Sequence, residues 1–92
     1  MILSFGDEDT RRFFEKCPVA RWERIEKVAM RKLYMVELAV TLDDLRVPPG
    51  NRLKPLKGDY AGHYSIRIND QFRVCFIWRD GHAHAVRIVD YH

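Results

Sequence analysis

The fold is decided by residues 63–78, which read His63-Tyr64-Ser65-Ile66-Arg67-Ile68-Asn69-Asp70-Gln71-Phe72-Arg73-Val74-Cys75-Phe76-Ile77-Trp78. Apolar and polar residues alternate on both sides of Asn69-Asp70-Gln71, and this period of two predicts two half-buried strands. A three-residue loop keeps both apolar sets on one face of the sheet. We therefore expect an antiparallel hairpin in which Arg67 lies opposite Arg73.

A further turn, Arg79-Asp80-Gly81, leads into a third strand. A three-residue turn with Gly81 left-handed pairs Arg73 with Arg87, Val74 with Val86 and Phe72 with Ile88. Arg67, Arg73 and Arg87 would then form one row on the face opposite the core. Like charges opposed across strands are destabilising, so this row favours an anion bound among them. The alternative is that the three arginines splay into water.

The first half of the chain has helical periodicity. Asp7 or Asp9 can cap a first helix, which Pro18 ends. A second helix is predicted from about Ala20 to Ala39. The fold class is therefore α+β, with two helices packed on one face of a mostly antiparallel twisted sheet and a basic face left open. The length predicts one domain over residues 1–92.

Positive charge is concentrated in the second half. Residues 1–45 hold eight Lys/Arg and nine Asp/Glu, whereas residues 46–92 hold eight Lys/Arg and four Asp/Glu. All four histidines also lie in the second half. This asymmetry favours a polyanionic ligand for the second half, with a solvated basic surface as the alternative.

Several classes of protein are disfavoured by the sequence. The longest apolar run is far below the ~20 residues of a membrane-spanning helix, and the acidic start does not resemble a secretory signal. Cys17 and Cys75 form neither a metal spacing nor a disulfide framework, which favours reduced thiols in a cytoplasmic protein. His82 and His84 lack further ligands at suitable spacing, so we expect no metal and no cofactor.

Two lysines precede a glycine in the stretch Lys54-Pro55-Leu56-Lys57-Gly58. Lys54 and Lys57 could hold a phosphate, although the same residues also suit a plain turn. Pro55 is typical of an edge strand or a bulge, and we expect a short strand from Leu53 to Leu56. Another short strand is expected from Ile2 to Phe5.

The sequence ends in three polar side chains, Asp90-Tyr91-His92. Tyr91 can stack on an unpaired base. His92 can exchange a proton near neutral pH, and Asp90 favours its charged form. Arg73 offers a planar fork that matches phosphate oxygens, and it could also pair with Asp90. The alternative for His92 is a disordered tail.

These motifs together resemble the HigB toxins of the RelE/ParE superfamily. The matching residues are Met1-Ile2-x-Ser4-Phe5, Leu53-x-Pro55-Leu56-Lys57-Gly58-Asp59, Gly62-His63-Tyr64-Ser65-Ile66-Arg67, Phe72-Arg73-Val74, Asp80-Gly81 and Asp90-Tyr91-His92. The resemblance implies a small α+β microdomain and a ribosome-dependent mRNA endonuclease that cuts in the A site. It also implies three partners: mRNA, the 70S ribosome and a HigA-type helix-turn-helix antitoxin.

The resemblance also implies roles for particular residues. Lys57, Arg73 and His92 match the family's proposed catalytic residues, with Asp90 and Tyr91 in the same motif. We expect Lys54, Arg67 and Arg87 to contact RNA. Lys54 stands where family members can carry a histidine, so the general base is left open. Two other functions remain open: a gyrase poison of the ParE type, and a catalytically inactive homologue that binds RNA or an antitoxin.

Overall fold

The computed structural model describes residues 1–91, in which two helices pack against a four-stranded antiparallel sheet. The elements are α1 (Glu8–Phe14), α2 (Glu26–Leu38), β1 (Lys54–Pro55), β2 (His63–Arg67), β3 (Phe72–Arg79) and β4 (His82–Asp90). The strands lie side by side in chain order. The predicted α+β architecture is confirmed.

Helix α1 is fixed at both ends by local sequence. The Asp7 carboxylate accepts a hydrogen bond from the Thr10 backbone N–H at 2.7 Å, which satisfies a free donor of the first turn. Lys16 follows the helix with a left-handed φ of 68°, and Pro18 comes two residues later. The Thr10 hydroxyl accepts from the Ile88 backbone N–H at 3.0 Å, so α1 is tied directly to β4.

The second helical region differs from the continuous helix predicted from Ala20 to Ala39. Residues Ala20–Ile25 form a 3₁₀ helix, and α2 begins only at Glu26. Side chains three residues apart eclipse in a 3₁₀ helix, which lets Trp22 and Ile25 both enter the core. The packing of these two residues therefore overrides the α-helical period in the first turn.

The predicted register between β2 and β3 is confirmed. Ile66 pairs with Val74 and Arg67 with Arg73. The Asn69 side chain fixes the connecting loop, because its Oδ1 accepts from the backbone N–H groups of Gln71 and Phe72, each at 2.8 Å.

The predicted register between β3 and β4 is wrong. The turn contains two residues, Asp80 and Gly81, with φ of 55° and 79°, as a type I′ turn requires. A bulge then shifts the register between Cys75 and Ile77. As a result Arg73 lies opposite Val89, and Arg87 lies opposite Cys75. The three arginines therefore do not form the straight row that the sequence suggested.

The hydrophobic core lies between the helices and the sheet face that carries Ile66, Val74 and Phe76, each 0% exposed. The N-terminal segment extends the sheet beyond β4 through two isolated parallel bridges, Ile2 to Ala83 and Phe5 to Val86. None of the helices in residues 1–91 has the length and apolar character needed to cross a membrane. Because the core covers one face of the sheet, the opposite face is left for polar side chains.

Candidate active site

The face opposite the core carries several of the residues that the sequence singled out. Lys54 on β1 lies opposite Ser65 on β2, and Arg67 on β2 lies opposite Arg73 on β3. Residues directly opposite in an antiparallel sheet point to the same side, so these four side chains share one face. Tyr91 follows β4, and its backbone N–H donates to the Gln71 carbonyl at 2.6 Å. This bond continues the β3–β4 ladder by one residue and brings Tyr91 to the edge of this face.

Arg73 is the centre of this face and is anchored from one side only. Its Nη1 donates to the Ser65 hydroxyl at 2.6 Å and to the Arg52 carbonyl at 3.4 Å. These two acceptors account for both hydrogens of Nη1. No other hydrogen bond from the guanidinium to residues 1–91 is present, so the edge formed by Nε and Nη2 remains available. That edge matches two oxygens of one phosphate.

Arg73 is also buried, being only 8% exposed. Burial lowers the pKa of its guanidinium, and the nearby Arg67 and Arg52 charges lower this pKa further. No carboxylate within residues 1–91 forms an ion pair with Arg73. A desolvated cation among like charges is costly without an opposite charge, so the arrangement is suited to an anion supplied from outside.

Tyr91 brings two cations together above this face. The Lys54 Nζ lies 4.7 Å from its ring centroid, and the Arg73 Cζ lies 5.2 Å from it. Attraction between each cation and the ring offsets part of their mutual repulsion. Tyr91 is 46% exposed as a residue, so part of it remains open to a ligand.

Two other predicted residues lie at the margin of this cluster. Lys57 is exposed just beyond β1, and its side chain makes no hydrogen bond or ion pair within the described part of the chain. Arg67 forms an ion pair with Asp70, whose side chain is fully exposed. Solvent-exposed ion pairs contribute little to stability, so Arg67 can exchange this partner for a ligand.

Two of the predicted residues that the structure describes, Asp90 and Arg87, lie outside this cluster. Asp90 lies opposite Phe72, on the opposite side of the sheet from Arg73, and accepts from Gln71 Nε2 at 3.0 Å. Arg87 lies opposite Cys75 and so shares the face of Arg73, but its side chain packs against the backbone of Gly6, where an added Cβ would lie 2.5 Å from Arg87 Nε. The prediction for His92 falls outside the described residues.

Sequence reasoning missed the residues that hold Arg73. In the sequence Ser65 is only a polar position in an alternating strand, yet in the fold it is 0% exposed and binds Arg73. Arg52 gives no signal in the sequence, because the acceptor is its backbone carbonyl. The one available signal for Ser65 was its register, since it lies two residues from the arginine pair on the same face.

The chemistry available here is electrostatic. The cluster can bind a phosphate, stabilise negative charge and present an aromatic ring, but its part within residues 1–91 contains no carboxylate base. Cys75 lies beneath the same face, and burial raises the pKa of its thiol to about 11, so it is not an activated nucleophile. Residues 1–91 contain no group of three or more His, Cys, Asp or Glu able to hold a metal ion.

A groove of about 840 Å³ lies elsewhere, between the end of α1 and the start of α2. Its lining includes Phe13, Pro18, Val19 and Met30 and none of the residues on the basic face. The candidate site is therefore separate from this groove.

The sequence is similar to known toxins over almost its whole length. A family model described as the RelE-like toxin of the type II toxin–antitoxin system HigB matches residues 3–92. Toxin HigB-1 of Vibrio cholerae is 41% identical over 85 residues, which cover 90% of each chain. Endoribonuclease HigB of Proteus vulgaris is 30% identical over 97 aligned positions, which cover 100% of each chain.

Solved structures of two other toxins share the fold. A YoeB–YefM complex from Staphylococcus aureus aligns with a TM-score of 0.63 at 16% identity, over 100% of this chain and 98% of that chain. YafQ from E. coli strain BL21(DE3) aligns with a TM-score of 0.63 at 14% identity, over 99% of this chain and 92% of that chain. At such low identity these structures show the fold alone.

Proposed function

Because the chain belongs to the HigB-like family of RelE-like toxins of type II toxin–antitoxin systems, we propose that it is a metal-independent endoribonuclease that cleaves translated mRNA in the ribosomal A site. The relative from Proteus vulgaris is named an endoribonuclease. This chain carries, on one sheet face, side chains suited to binding a phosphodiester.

The proposal depends most on one observation, the state of Arg73. Its guanidinium is held by Nη1 alone, is 8% exposed and has no carboxylate partner in residues 1–91. A purely structural arginine at this position would be expected to bond a carboxylate. The free Nε–Nη2 edge is instead preorganised for an anion, and preorganised donors are among the strongest contributors to catalysis.

The proposed reaction is an internal transesterification. The 2′-hydroxyl oxygen of one nucleotide attacks the adjacent phosphorus, and the bond from phosphorus to the 5′-oxygen breaks. The products are a 2′,3′-cyclic phosphate and a free 5′-hydroxyl. Arg73 stabilises the negative charge that develops on the non-bridging oxygens. His92 donates a proton to the leaving 5′-oxygen.

The remaining residues bind and orient the RNA. Lys54, which shares the Tyr91 ring with Arg73, neutralises the scissile phosphate. Lys57 and Arg67 contact neighbouring phosphates. Tyr91 stacks on a base through the open part of its ring. The 2′ proton passes to a group of the ribosome or to water, because Lys54 binds the phosphate as an ammonium and the described part of this site contains no carboxylate.

The partners follow from the same proposal. The family description gives the system an antitoxin, and we propose one of the HigA type with a helix-turn-helix fold. The substrate is mRNA on the 70S ribosome, which places the protein in the cytoplasm. An antitoxin segment with acidic side chains could neutralise the face around Arg73.

The decisive experiment maps the 5′ ends of cellular mRNA after a brief pulse of expression. We expect cuts phased with codons on translated messages, each leaving a 5′-hydroxyl. Arg73→Ala and His92→Gln should abolish the cuts and relieve growth arrest, since loss of a general acid costs about 10²–10⁴-fold in rate. An exposed arginine far from the site, Arg12, provides the control Arg12→Ala. DNA damage without mRNA cleavage would instead indicate a gyrase poison.

A further inference from the structure

The ammonium group of Lys32 is buried within α2 without a carboxylate partner in the described chain. Lys32 is only 6% exposed, and its Nζ donates to the Asn51 Oδ1. Burial lowers the pKa of Lys32, and the Arg31 and Arg67 charges lower it further. A buried ammonium with one amide acceptor contributes little to the stability of a fold. Its presence therefore calls for another explanation.

Asn51 connects this lysine to the loop that precedes β1. Asn51 is 0% exposed, and its Nδ2 donates to the carbonyls of Leu45 at 3.1 Å and Val47 at 3.4 Å. The next residue, Arg52, is left-handed with φ 48° and ψ 51°. A non-glycine residue keeps this conformation only where its surroundings hold it. The carbonyl of Arg52 accepts from Arg73 Nη1.

We propose that Lys32 and Asn51 are positioning residues for Arg73. Their buried hydrogen bond fixes the loop over residues 45–52, and the Arg52 carbonyl at the end of this loop holds one hydrogen of Nη1. Ser65 holds the other hydrogen. Two acceptors on one nitrogen fix the plane of the guanidinium, and the Nε–Nη2 edge then points in one direction. The ligand of that edge rests on the proposed function, whereas the series of contacts from Lys32 to Arg73 does not.

Two substitutions separate the hydrogen bond of Lys32 from its charge. Lys32→Gln keeps a donor for Asn51 Oδ1 and removes the charge, and Lys32→Met removes both. Because a misplacement of about 1 Å can cost about 10²-fold in rate, we expect Lys32→Met to slow single-turnover cleavage of ribosome-bound mRNA by about 10–100-fold. The toxin concentration that gives half the maximal rate should change little in Lys32→Met, and Lys32→Gln should recover much of the rate. Lys27→Met, at an exposed position on the same helix, is the control.

A second readout follows Arg73 directly in the free toxin. Arginine-labelled protein gives side-chain ¹⁵N signals, and Arg73→Lys assigns them. We expect a distinct Nη1 signal in the wild type and in Lys32→Gln, and its loss by rotational averaging in Lys32→Met. Asn51→Asp keeps an acceptor for Lys32 but lacks the donors to the two loop carbonyls. It should also lose the signal, so the test does not depend on one variant folding.

The results for the Lys32 variants and the wild type decide whether Lys32 and Asn51 position Arg73. Equal losses of rate in Lys32→Gln and Lys32→Met, relieved by changes in salt, would show that Lys32 acts through its charge. Wild-type rates and unchanged Arg73 signals in Lys32→Met would show that Lys32 and Asn51 have a structural role only and do not position Arg73. If the wild type cleaves no RNA but the signals behave as expected, the positioning inference stands and the proposed function fails.

Discussion

Replacing Ser65 with alanine tests the anchoring of Arg73 most directly. The substitution removes the 2.6 Å acceptor and leaves Nη1 with only the 3.4 Å contact to the Arg52 carbonyl. Hydrogen bonds to charged groups contribute about 1.5–3 kcal/mol, and a buried donor left unpaired costs a similar amount. We expect Ser65→Ala to lower the free energy of unfolding by about 1.5–3 kcal/mol. If the same interaction orients Arg73 in the transition state, cleavage should slow by about 10–100-fold, at about 1.4 kcal/mol for each tenfold.

The two effects are measured separately. Urea unfolding followed by circular dichroism gives stability, and single-turnover cleavage of ribosome-bound mRNA at saturating toxin gives the rate. Ser4→Ala is the matched control, because the Ser4 hydroxyl accepts from the Ala85 N–H at 2.9 Å, away from the site. That variant should lose stability without losing its rate. A Ser65→Ala protein that is destabilised but cleaves at the wild-type rate would refute the role of Ser65 in orienting Arg73 for cleavage.

Further predictions concern Tyr91, the two cysteines and Gly6. Tyr91→Phe should retain cleavage and Tyr91→Ala should lose it about tenfold or more, because the ring and not the hydroxyl holds the cations, at about 0.5–1 kcal/mol each. Native protein at pH 8.5 should react with a thiol reagent at Cys17 before Cys75. Burial raises the pKa of Cys75 to about 11, so its contribution to stability is complete below pH 9 and is lost as pH rises toward about 11. Urea titrations of the wild type and of Cys75→Ala should therefore give free energies of unfolding that diverge in that range. Gly6→Ala should lower the melting temperature, because its Cβ would lie 2.9 Å from the Ala85 carbonyl oxygen as well as against Arg87.

The parts of the fold that the sequence predicted are those with local causes. The β2–β3 register depends on alternation and on a loop that Asn69 closes by bonding two backbone N–H groups. Helix α1 depends on the Asp7 cap and ends before Pro18. Each of these features is determined within a few residues, so reading the chain is sufficient.

The features that escaped prediction depend on distant contacts. Ala85 has a φ of 52°, a conformation for which alanine gives no signal in a sequence. Lys32 occupies a helix position that is usually solvated, and only Asn51, 19 residues away, explains its burial. Ser65 looks like a solvent-facing residue until β3 places Arg73 beside it. The sequence therefore indicated basic groups that share one face of the sheet but not the groups that hold them in place.

The irregularity at Ala85 decides which side chains of β4 face the helices. A two-residue turn followed by an unbroken ladder would set Val86 opposite Cys75 and Ile88 opposite Arg73, with both aliphatic side chains turned away from the core. The extra residue reverses this, so that Ile88 meets Val74 and Arg87 meets Cys75. Turn length and bulge are thus linked by parity: removing Ala85 would turn the end of β4 inside out unless the loop at Asp80-Gly81 gained one residue in exchange. Related chains can therefore differ by compensating one-residue insertions and deletions at these two places and still keep the same side chains inside.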